Sequence, residues 1–434
     1  MATATFYPAR LHGEAVVPPA KSEAHRAILL AALGRGRCRL NGFPPPLCDD
    51  TEAMISGVTA LGASVEREGN ALIVTPGKPA QGPAQCDVRA CGAAVRMLIP
   101  AFLLRGQTVR IWMEDGLFAR PLTAFDPLCA RLGAKLERVP SQGGVRAHID
   151  LSGAMPTGEY EIDGTLSSQF ASGLLIALSH TDGPSVLTVT RPIVSRPYLD
   201  MTLRQMERFG LAYEEPEEGR FRLSPATREN PQETAVSGDW SQAAVLLCLN
   251  AMGHGILLSG MQTPDSGCLQ GDSRVVELLR AMGLRHCRAK DALYLLSPSH
   301  ARLNALDVDC ENIPDLAPIL ALTCTQARGT STLRGVKRLR VKECDRLNAT
   351  VEALTRLGAE VSVSADDEAL TVKGGARLKG GFTLGAHGDH RMVMLLAAAA
   401  TLCDAPITVE GVESLNKSWP GFLSTYQQLG GKVT

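Results

Sequence analysis

The chain has 434 residues, of which 45% are hydrophobic and 21% are charged, and its formal net charge is −1. This balance is ordinary for a globular protein and provides no electrostatic footprint for nucleic acid or for an anionic membrane. Aromatic residues make up only 4%, which argues against base-stacking surfaces. The longest largely apolar run, residues 393–403, is too short to span a bilayer. We therefore expect a protein that binds neither nucleic acid nor membranes.

The twelve cysteines include no Cys-x-x-Cys pair and no spacing typical of a metal site, and several lie within apolar patterns. Buried, reduced thiols of this kind are typical of cytoplasmic proteins. Residues 1–17 contain Pro8, Arg10 and His12 and lack the apolar core of a signal peptide. We expect a cytoplasmic protein without a bound metal.

A short pattern occurs six times: an apolar helical run, then a Leu-Gly pair or a close variant, then a strand-like segment. The glycines are Gly62, Gly133, Gly210, Gly283, Gly358 and Gly430, and successive ones are 71 to 77 residues apart. A glycine directly after a helix supplies the left-handed conformation that ends it. A fixed period of this kind indicates a repeated structural unit.

The first helix of each unit is predicted at residues 23–33, 93–104, 167–178, 240–252, 315–325 and 389–402. Strands are predicted after five of these helices, at residues 108–112, 186–190, 255–258, 331–334 and 406–409, and hairpins at residues 63–75 and 359–373. The unit is therefore strand–helix–strand–helix–strand–strand, with a length of about 72 residues. Six such units predict an α/β fold of two halves with three repeats each.

The sixth unit ends at Thr434 with one strand of its hairpin missing. Residues 5–17 contain strand-like segments ahead of the first helix. We therefore predict that the N-terminal strand completes the sixth repeat. The C-terminal half would then consist of residues 1–19 and 238–434 (repeats 4–6), and the N-terminal half of residues 20–237 (repeats 1–3).

Charged residues recur at the helix starts. The second helices begin near cations at Arg120, Arg196, Lys342 and Lys417, and near acids at Asp49, Asp50 and Asp272 in the first and fourth units. Helix N-termini present unpaired N–H groups and about half a positive charge. If all of them face one cleft between the halves, that cleft binds anions, and its cations are Lys21, Arg26, Arg120, Lys342, Arg346, Arg391 and Lys417. So many cations predict two phosphorylated or carboxylated ligands.

Residues 340–346, Arg-Val-Lys-Glu-Cys-Asp-Arg, are predicted to form the first turn of a helix. In a helix Lys342 and Arg346 share a face, and Glu343 lies beside them. Two cations and a carboxylate arranged in this way can clamp an anion and move a proton. The alternative interpretation is a solvated, capped helix start.

Eight short motifs stand at these positions: Pro19-Ala20-Lys21-Ser22 with Arg26, Ala119-Arg120-Pro121, Leu166-Ser167-Ser168-Gln169-Phe170, Ser195-Arg196-Pro197-Tyr198, Ile313-Pro314-Asp315, Arg340-Val341-Lys342-Glu343 through Asp345-Arg346, Asp389-His390-Arg391-Met392 and Lys417-Ser418. Together they resemble the 3-phosphoshikimate 1-carboxyvinyltransferase (EPSP synthase) family over nearly the whole chain. The resemblance implies a two-domain, inside-out α/β barrel fold of six βαβαββ repeats, three per domain. It also implies that no metal or organic cofactor is used, and we expect a monomer.

The implied reaction transfers the enolpyruvyl group of phosphoenolpyruvate to the 5-hydroxyl of shikimate 3-phosphate and releases phosphate, a step of aromatic amino acid biosynthesis. By resemblance, shikimate 3-phosphate is held by Lys21, Ser22, Arg26, Ser167, Ser168, Gln169, Ser195, Tyr198, Asp315 and Lys342. Phosphoenolpyruvate is held by Lys21, Gly92, Arg120, Gln169, Arg346, His390, Arg391 and Lys417. Asp315 is the implied base for the hydroxyl, Glu343 the implied acid for the methylene carbon, and Lys21 an assisting group.

The chain departs from the family pattern in two places. It has Ala90 and Ala93 where the family usually has asparagine and threonine around Gly92, so we predict a raised KM for phosphoenolpyruvate. It also has Arg338 where some members have asparagine. Two alternatives are a degenerate, binding-only homologue and the sister transferase that acts on UDP-N-acetylglucosamine. The sister enzyme has Lys-Asn at the position of Lys21-Ser22 and commonly a reactive cysteine in the loop matching residues 112–118, where this chain has none.

Overall fold

The computed structural model describes residues 1–79, 81–262, 268–289, 292–296 and 303–434. The chain divides into two compact units, each of which is described by itself. The terminal unit consists of Met1–Pro18 and Gly238–Thr434, and the central unit of Pro19–Ser237. Within the described residues, no helix has both the length and the apolar character needed to cross a membrane.

The N-terminal segment contains strands β1 (Thr3–Phe6) and β2 (His12–Val16). The first repeat of the central unit comprises α1 (Lys21–Leu33), β3 (Cys38–Asn41), α2 (Asp49–Ala60), β4 (Ser64–Glu68) and β5 (Ala71–Thr75). The second comprises β6 (Ala84–Asp87), α3 (Gly92–Leu104), β7 (Val109–Trp112), α4 (Asp115–Phe118), α5 (Asp126–Leu132), β8 (Lys135–Val139) and β9 (His148–Ser152). The third comprises β10 (Glu159–Ile162), α6 (Ser168–Leu178), β11 (Ser185–Val189), α7 (Arg196–Arg208), β12 (Tyr213–Glu217) and β13 (Arg220–Leu223), and β14 (Glu233–Ala235) follows it.

The terminal unit continues with three more repeats. The fourth comprises α8 (Trp240–Ala251), β15 (Gly255–Ser259), α9 (Val275–Ala281), β16 (Arg285–Ala289) and β17 (Ala292–Leu296). The fifth comprises β18 (Asp307–Asp309), α10 (Ala317–Cys324), β19 (Thr330–Arg334), α11 (Arg346–Arg356), β20 (Glu360–Val363) and β21 (Ala369–Lys373). The sixth comprises β22 (Phe382–Gly385), α12 (His390–Ala400), β23 (Ile407–Glu410) and α13 (Phe422–Gln428). Short 3-10 helices at Thr123–Phe125, Gly271–Arg274, Pro314–Leu316, Lys337–Val341 and Val412–Lys417 lie ahead of α5, α9, α10, α11 and α13.

Each repeat forms one small sheet, in which a parallel pair of strands is extended by antiparallel neighbours. The strand orders are β14-β3-β5-β4, β6-β7-β9-β8 and β10-β11-β13-β12 in the central unit, and β2-β15-β17-β16, β18-β19-β21-β20 and β22-β23-β1 in the terminal unit. Helices α3, α6, α10 and α12 each connect the parallel pair of their sheet, because parallel neighbours need a crossover rather than a tight turn. The observed repeat is the predicted strand–helix–strand–helix–strand–strand unit.

The N-terminal segment contributes to two sheets. Strand β1 pairs antiparallel with β23 of the sixth repeat, and backbone hydrogen bonds of 2.7 and 3.1 Å join Thr5 to Thr434. Strand β2 instead pairs parallel with β15 of the fourth repeat. Our prediction that the N-terminal strand completes the sixth repeat does not extend to β2, because Pro8 lies between the two strands and has no N–H to continue a ladder. The first repeat receives its outer strand, β14, from the end of the central unit in the same way.

The first helices of the repeats lie inside each unit. Helices α1, α3 and α6 of the central unit and α8, α10 and α12 of the terminal unit are buried over nearly their whole length. The α3–α6 contact depends on a glycine, since a Cβ atom at Gly173 would lie 2.8 Å from the carbonyl oxygen of Arg96. Polar and charged side chains are concentrated at the N-terminal ends of these core helices, and the candidate site is built there.

Candidate functional site

In the terminal unit, three carboxylates surround one buried guanidinium group. Arg346 is the first residue of α11 and is 1% exposed. Its Nε donates to Asp389 Oδ2 at 2.8 Å, its Nη1 to Asp315 Oδ1 at 2.8 Å and its Nη2 to Glu343 Oε2 at 2.7 Å. Burial disfavours the charge of Arg346, but the three carboxylates outweigh burial and raise its pKa. Arg346 is therefore a fixed positive charge at the centre of this cluster.

Asp315 is the point where three cations meet. It lies in the 3-10 turn Pro314–Leu316 ahead of α10. Its Oδ1 contacts Arg346 and also Lys342 Nζ at 3.4 Å, and its Oδ2 accepts from Arg391 Nη2 at 2.9 Å. Burial alone would raise the pKa of Asp315, but the charges of Arg391, Lys342 and Arg346 together hold it well below its usual range. The carboxylate is therefore ionised, and each of its oxygens contacts at least one cation.

Asp389 connects Arg346 to the start of α12. It is fully buried, its Oδ1 accepts from the backbone N–H of Arg391 at 2.8 Å as the N-cap of the helix, and its Oδ2 accepts from Arg346. The Cys344 thiol donates to the same Oδ2 at 3.6 Å, and burial followed by the Asp389 charge raises the pKa of this thiol to about 12. Asp389 thus fixes the side chain of Arg346 and the backbone of Arg391 from one buried carboxylate.

The stretch 340–346 is not the helical turn that we predicted. Residues Lys337–Val341 form a 3-10 helix, Lys342 is extended, and α11 begins only at Arg346. The reason is that Asp345 is the N-cap of α11. Its backbone is non-helical, and its Oδ1 accepts from the N–H of Asn348 at 3.0 Å, so the helix cannot begin before Arg346. Lys342 and Arg346 therefore do not share a helical face, and they converge on Asp315 by tertiary packing instead.

Two further predicted residues of the terminal unit are buried at helix ends. Lys417 is 6% exposed and is the last residue of the 3-10 helix Val412–Lys417. His390 is the first residue of α12, is 2% exposed, and its Nδ1 lies 3.8 Å from Asp389 Oδ1. Both belong to the same repeat as Arg391.

Asp272 is a buried acid in the 3-10 turn Gly271–Arg274, where the second helix of the fourth repeat begins. It is 1% exposed, its Oδ2 accepts from the hydroxyl of Ser241, and its Oδ1 has no hydrogen-bond partner among the described residues. Burial, and after it the charge of Asp315, raise the pKa of Asp272 to about 7. The charge of Arg391 opposes this shift. Asp272 therefore adds a titratable group beside the cluster near neutral pH.

In the central unit, Arg26 joins three helices. It is 2% exposed, and its guanidinium donates to Thr202 Oγ1 at 2.7 Å, to the carbonyl of Ser22 at 2.7 Å, to Ser172 Oγ at 3.1 Å and to the carbonyl of Tyr198 at 2.9 Å. All four acceptors are uncharged. Because burial is not offset by a direct carboxylate contact, the pKa of Arg26 falls to about 10. Arg26 holds α1, α6 and α7 together and keeps a positive charge that suits an anionic ligand.

Lys21 opens α1 and forms an ion pair with an acid of the same repeat. Its Nζ lies 2.8 Å from Asp50 Oδ2. His25, one turn further along α1, donates from Nε2 to the carbonyl of Asp50 at 3.0 Å, and burial lowers the pKa of His25 to about 4. Both contacts connect the start of α1 with the start of α2.

Arg120 lies over the first residue of α3. A Cβ atom at Gly92 would stand 3.0 Å from Arg120 Nη1 and 3.3 Å from Arg96 Nη1. Arg96 in turn donates to Gln169 Oε1 at 2.8 Å. A side chain at Gly92 would displace these groups. The contacts through Arg96 bring the predicted residues Gly92, Arg120 and Gln169 together beside the starts of α3 and α6.

The predicted serines occupy helix caps or strained backbone. Ser167 is the N-cap of α6 and accepts from the N–H of Gln169 at 3.3 Å, and Ser168 is buried directly after it. Ser195 has φ 55 and ψ 42, a left-handed conformation that costs a non-glycine residue free energy and is often found at functional sites. Arg196 beside it forms a bidentate ion pair with Glu215 at 2.7 Å, which gives it a structural role.

The structure brings Arg346, Glu343, Lys342 and Arg391 together around Asp315 in the terminal unit, and Gly92, Arg120 and Gln169 together in the central unit. Sequence reasoning placed Asp389, Asp50 and Asp272 at helix starts, but it missed that Asp389 holds Arg346, that Asp50 holds Lys21 and that Asp272 is buried. Their signal was present, because each stands at a helix start, but a capping acid cannot be told from an ion-pair partner without knowing what packs against it. The expectation that the helix starts of both units face one cleft stays a prediction.

The fold is that of enolpyruvyl transferases of known structure. It is similar to EPSP synthase from Acinetobacter baumannii, with a TM-score of 0.78, 21% identity and complete coverage of both chains. It is also similar to the enolpyruvyl transferase NikO from Streptomyces tendae, with a TM-score of 0.75, 17% identity and coverage of 100% of this chain and 98% of the other. At these identities the likeness concerns the fold alone.

The sequence comparison is more specific. The model of the family described as EPSP synthase (3-phosphoshikimate 1-carboxyvinyltransferase) matches residues 7–426. A 3-phosphoshikimate 1-carboxyvinyltransferase of Clostridioides difficile (strain 630) is 31% identical over 444 residues, which cover 100% of this chain and 98% of the relative. The protein of the same name from Clostridium botulinum (strain Alaska E43 / Type E3) is 31% identical, with coverage of 99% and 98%. The chain belongs to the EPSP synthase family.

Proposed function

We propose that this chain transfers the enolpyruvyl group of phosphoenolpyruvate to the 5-hydroxyl of shikimate 3-phosphate and releases phosphate. The observation that carries this proposal, in a member of the EPSP synthase family, is the convergence of Arg346, Arg391 and Lys342 on the carboxylate of Asp315. Three anion-binding groups beside a carboxylate that can accept a proton suit a reaction between two anions in which a hydroxyl is deprotonated.

The proposal assigns the predicted residues to the two substrates. Shikimate 3-phosphate is held mainly by the central unit, where Arg26 carries a buried charge on uncharged partners and Ser167, Ser168 and Ser195 stand at helix starts. Phosphoenolpyruvate is held by arginines, since the planar guanidinium matches carboxylate and phosphate oxygens. These are Arg120, beside Gly92, and Arg346 and Arg391 in the terminal unit.

Asp315 takes the proton of the 5-hydroxyl as its oxygen bonds to the central carbon of the enolpyruvyl group, and Glu343 donates a proton to the methylene carbon. A proton of the resulting methyl group then returns to Glu343, and the proton on Asp315 passes to the departing phosphate, as the carbon–oxygen bond to phosphate breaks and the product forms. Arg346 lies between both groups, 2.8 Å from Asp315 and 2.7 Å from Glu343, so its fixed charge can stabilise the anionic intermediate. Lys21 assists from the start of α1.

Phosphate release from a mixture of the purified chain, shikimate 3-phosphate and phosphoenolpyruvate tests the proposed function. We expect turnover, and a loss of about 10²- to 10⁴-fold in kcat for Asp315→Asn and for Arg391→Ala, because each removes a group that acts in the transition state. Glu352→Gln and Arg356→Ala, at exposed positions of α11, are matched controls that should leave kcat unchanged.

The same assay separates the alternatives. Release only with UDP-N-acetylglucosamine as acceptor would favour the sister transferase, and ligand binding without release would favour a binding-only homologue. The cytoplasmic location and the monomeric state stay predictions.

A further inference from the structure

The three cations of the terminal unit that are proposed to hold anionic ligands are already occupied by a carboxylate of the chain itself. Asp315 contacts Arg346 at 2.8 Å, Arg391 at 2.9 Å and Lys342 at 3.4 Å. Arg346 is 1% exposed at its side chain, whereas the Asp315 side chain is 22% exposed. The partner that an incoming ligand can reach and replace is therefore the carboxylate.

This arrangement conflicts with a role of Asp315 as a base. A general base needs an available lone pair and a pKa near the working pH. Here both carboxylate oxygens point at cations, and the charges of Arg391, Lys342 and Arg346 keep the pKa of Asp315 well below its usual range in spite of burial. In this state the carboxylate can scarcely accept a proton from a hydroxyl.

We propose that Asp315 is an internal anion that the negatively charged donor substrate displaces from Arg391, Lys342 and Arg346, and that this displacement turns Asp315 into a competent base. The inference rests on the proposed function, because it takes the dianionic phosphate ester as the displacing group. A phosphate group offers more charge and more acceptor oxygens than a carboxylate, so it satisfies the same donors better.

The surrounding contacts allow the exchange without a change in the rest of the cluster. Arg346 keeps two of its three carboxylates, Asp389 at 2.8 Å and Glu343 at 2.7 Å. Arg391 stays tied at its backbone, because its N–H donates to Asp389 Oδ1 at 2.8 Å. Only the Asp315 side chain and the ends of Lys342 and Arg391 need to turn.

The consequence is an order in the reaction: the donor binds before the acceptor hydroxyl can lose its proton. Once Asp315 leaves its cations, burial and the neighbouring Glu343 carboxylate both raise its pKa. Among the described residues, the charged groups that act on Asp315 or on its partners include Arg391, Lys342, Arg346, Glu343, Asp389, Asp272, Arg338 and Asp239. Asp272, with a pKa of about 7, is already protonated at pH 5, so at that pH it contributes no proton change.

Isothermal titration calorimetry of the full chain with sodium sulfate tests the displacement. Sulfate is a dianion that carries no proton at pH 5, and titrations at constant ionic strength in two buffers of different ionisation enthalpy count the protons taken up. We expect wild-type protein to take up a fraction of a proton per sulfate bound. We expect Asp315→Asn to lose this uptake and to bind sulfate about tenfold more tightly, because the competing carboxylate is gone. Glu352→Gln, an exposed acid of α11, is the matched control and should behave as wild type.

Two results would overturn the proposal. One is sulfate binding without proton uptake and with unchanged affinity in Asp315→Asn. The other is proton uptake that persists in Asp315→Asn and disappears in Glu343→Gln, which would assign the exchange to Glu343. Phosphate release is measured on the same samples. Turnover without displacement of Asp315 by sulfate refutes this inference alone, and displacement without turnover refutes the proposed function alone.

Discussion

At the scale of single residues, the cations that the sequence shows as unpaired are ion-paired in the structure. From the sequence, Lys21, Arg346 and Arg391 are cations that need an anionic ligand. In the structure Lys21 lies 2.8 Å from Asp50, and Asp315 contacts both arginines. On our proposal, ligand binding in the terminal unit is an exchange of anions rather than the filling of an uncompensated positive site.

Residues 90 and 93 also belong to this scale, because they flank the glycine over which Arg120 lies. Ala90 and Ala93 are partly exposed and offer no side-chain hydrogen bond. We predict that the double variant Ala90→Asn, Ala93→Thr lowers the KM for phosphoenolpyruvate about tenfold or more at similar kcat. A hydrogen bond to a charged group contributes about 1.5–3 kcal/mol, and about 1.4 kcal/mol corresponds to a factor of ten.

Steady-state kinetics with varied phosphoenolpyruvate measures this change. Ala130→Asn, which adds an amide at an exposed position of α5 in the same repeat, is the control and should not alter KM. An unchanged KM in the double variant would mean that the lost polar groups do not weaken donor binding in this chain.

At the scale of elements, the first helices of the repeats follow their sequence pattern closely, whereas the second helices do so only in part: α2 begins at Asp49 and α7 at Arg196 as predicted, but the other starts are displaced. Helix α8 begins at Trp240 as predicted, behind the cap Asp239. By contrast, Arg120 lies outside a helix, between α4 and the 3-10 turn Thr123–Phe125. A long apolar run specifies a core helix, but a few charges at a short, half-exposed helix do not decide where its first turn forms.

The buried acid Asp272, in the 3-10 turn Gly271–Arg274, makes the free energy of unfolding depend on pH. Its pKa is raised from 3.8 to about 7, so between about pH 4 and pH 7 the folded state binds more protons than the unfolded state. The free energy of unfolding therefore falls as the pH rises through this window, by up to about 1.4 kcal/mol per pH unit.

We predict that Asp272→Asn removes this dependence, since the amide oxygen can still accept from Ser241 and carries no charge. Urea denaturation should find the variant more stable than wild type at pH 8, by about 1–3 kcal/mol, and similar to it at pH 4.5. Glu277→Gln, at an exposed position of α9, controls for the loss of one acid. Equal stability of wild type and Asp272→Asn at both pH values would contradict the raised pKa.

At the scale of the whole molecule, one of the two units is not continuous in sequence. The terminal unit contains both ends of the chain, and β1 fills the place in the sixth sheet that the C-terminal repeat leaves open. Phe6 of this strand is fully buried, and its ring stands edge-on to Tyr426 with centroids 5.3 Å apart. Ala4 and Phe6 of this strand are thus part of the core of the terminal unit.

We predict that Phe6→Ala destabilises the terminal unit by about 3–5 kcal/mol, the usual cost of removing a buried phenyl ring. Hydrogen exchange should become faster in β23 and α13 and stay unchanged in the central unit, to which Phe6 does not belong. Tyr7→Ala, a partly exposed neighbour that packs against Lys432, is the control and should cost much less. Unaltered exchange in β23 would mean that β1 does not stabilise this sheet.

The sequence by itself determined the repeated unit, its number and the core helices, because a period of apolar residues ending in glycine is local information that each segment carries. It also identified the cations and Asp315, through residue type, helix position and resemblance to a family. Only the tertiary structure decided that β1 and β2 enter different sheets and that Asp315 occupies its neighbouring cations. Those decisions depend on contacts between distant segments, such as Asp315 with Arg391, 76 residues apart, for which a pattern within one segment holds no information.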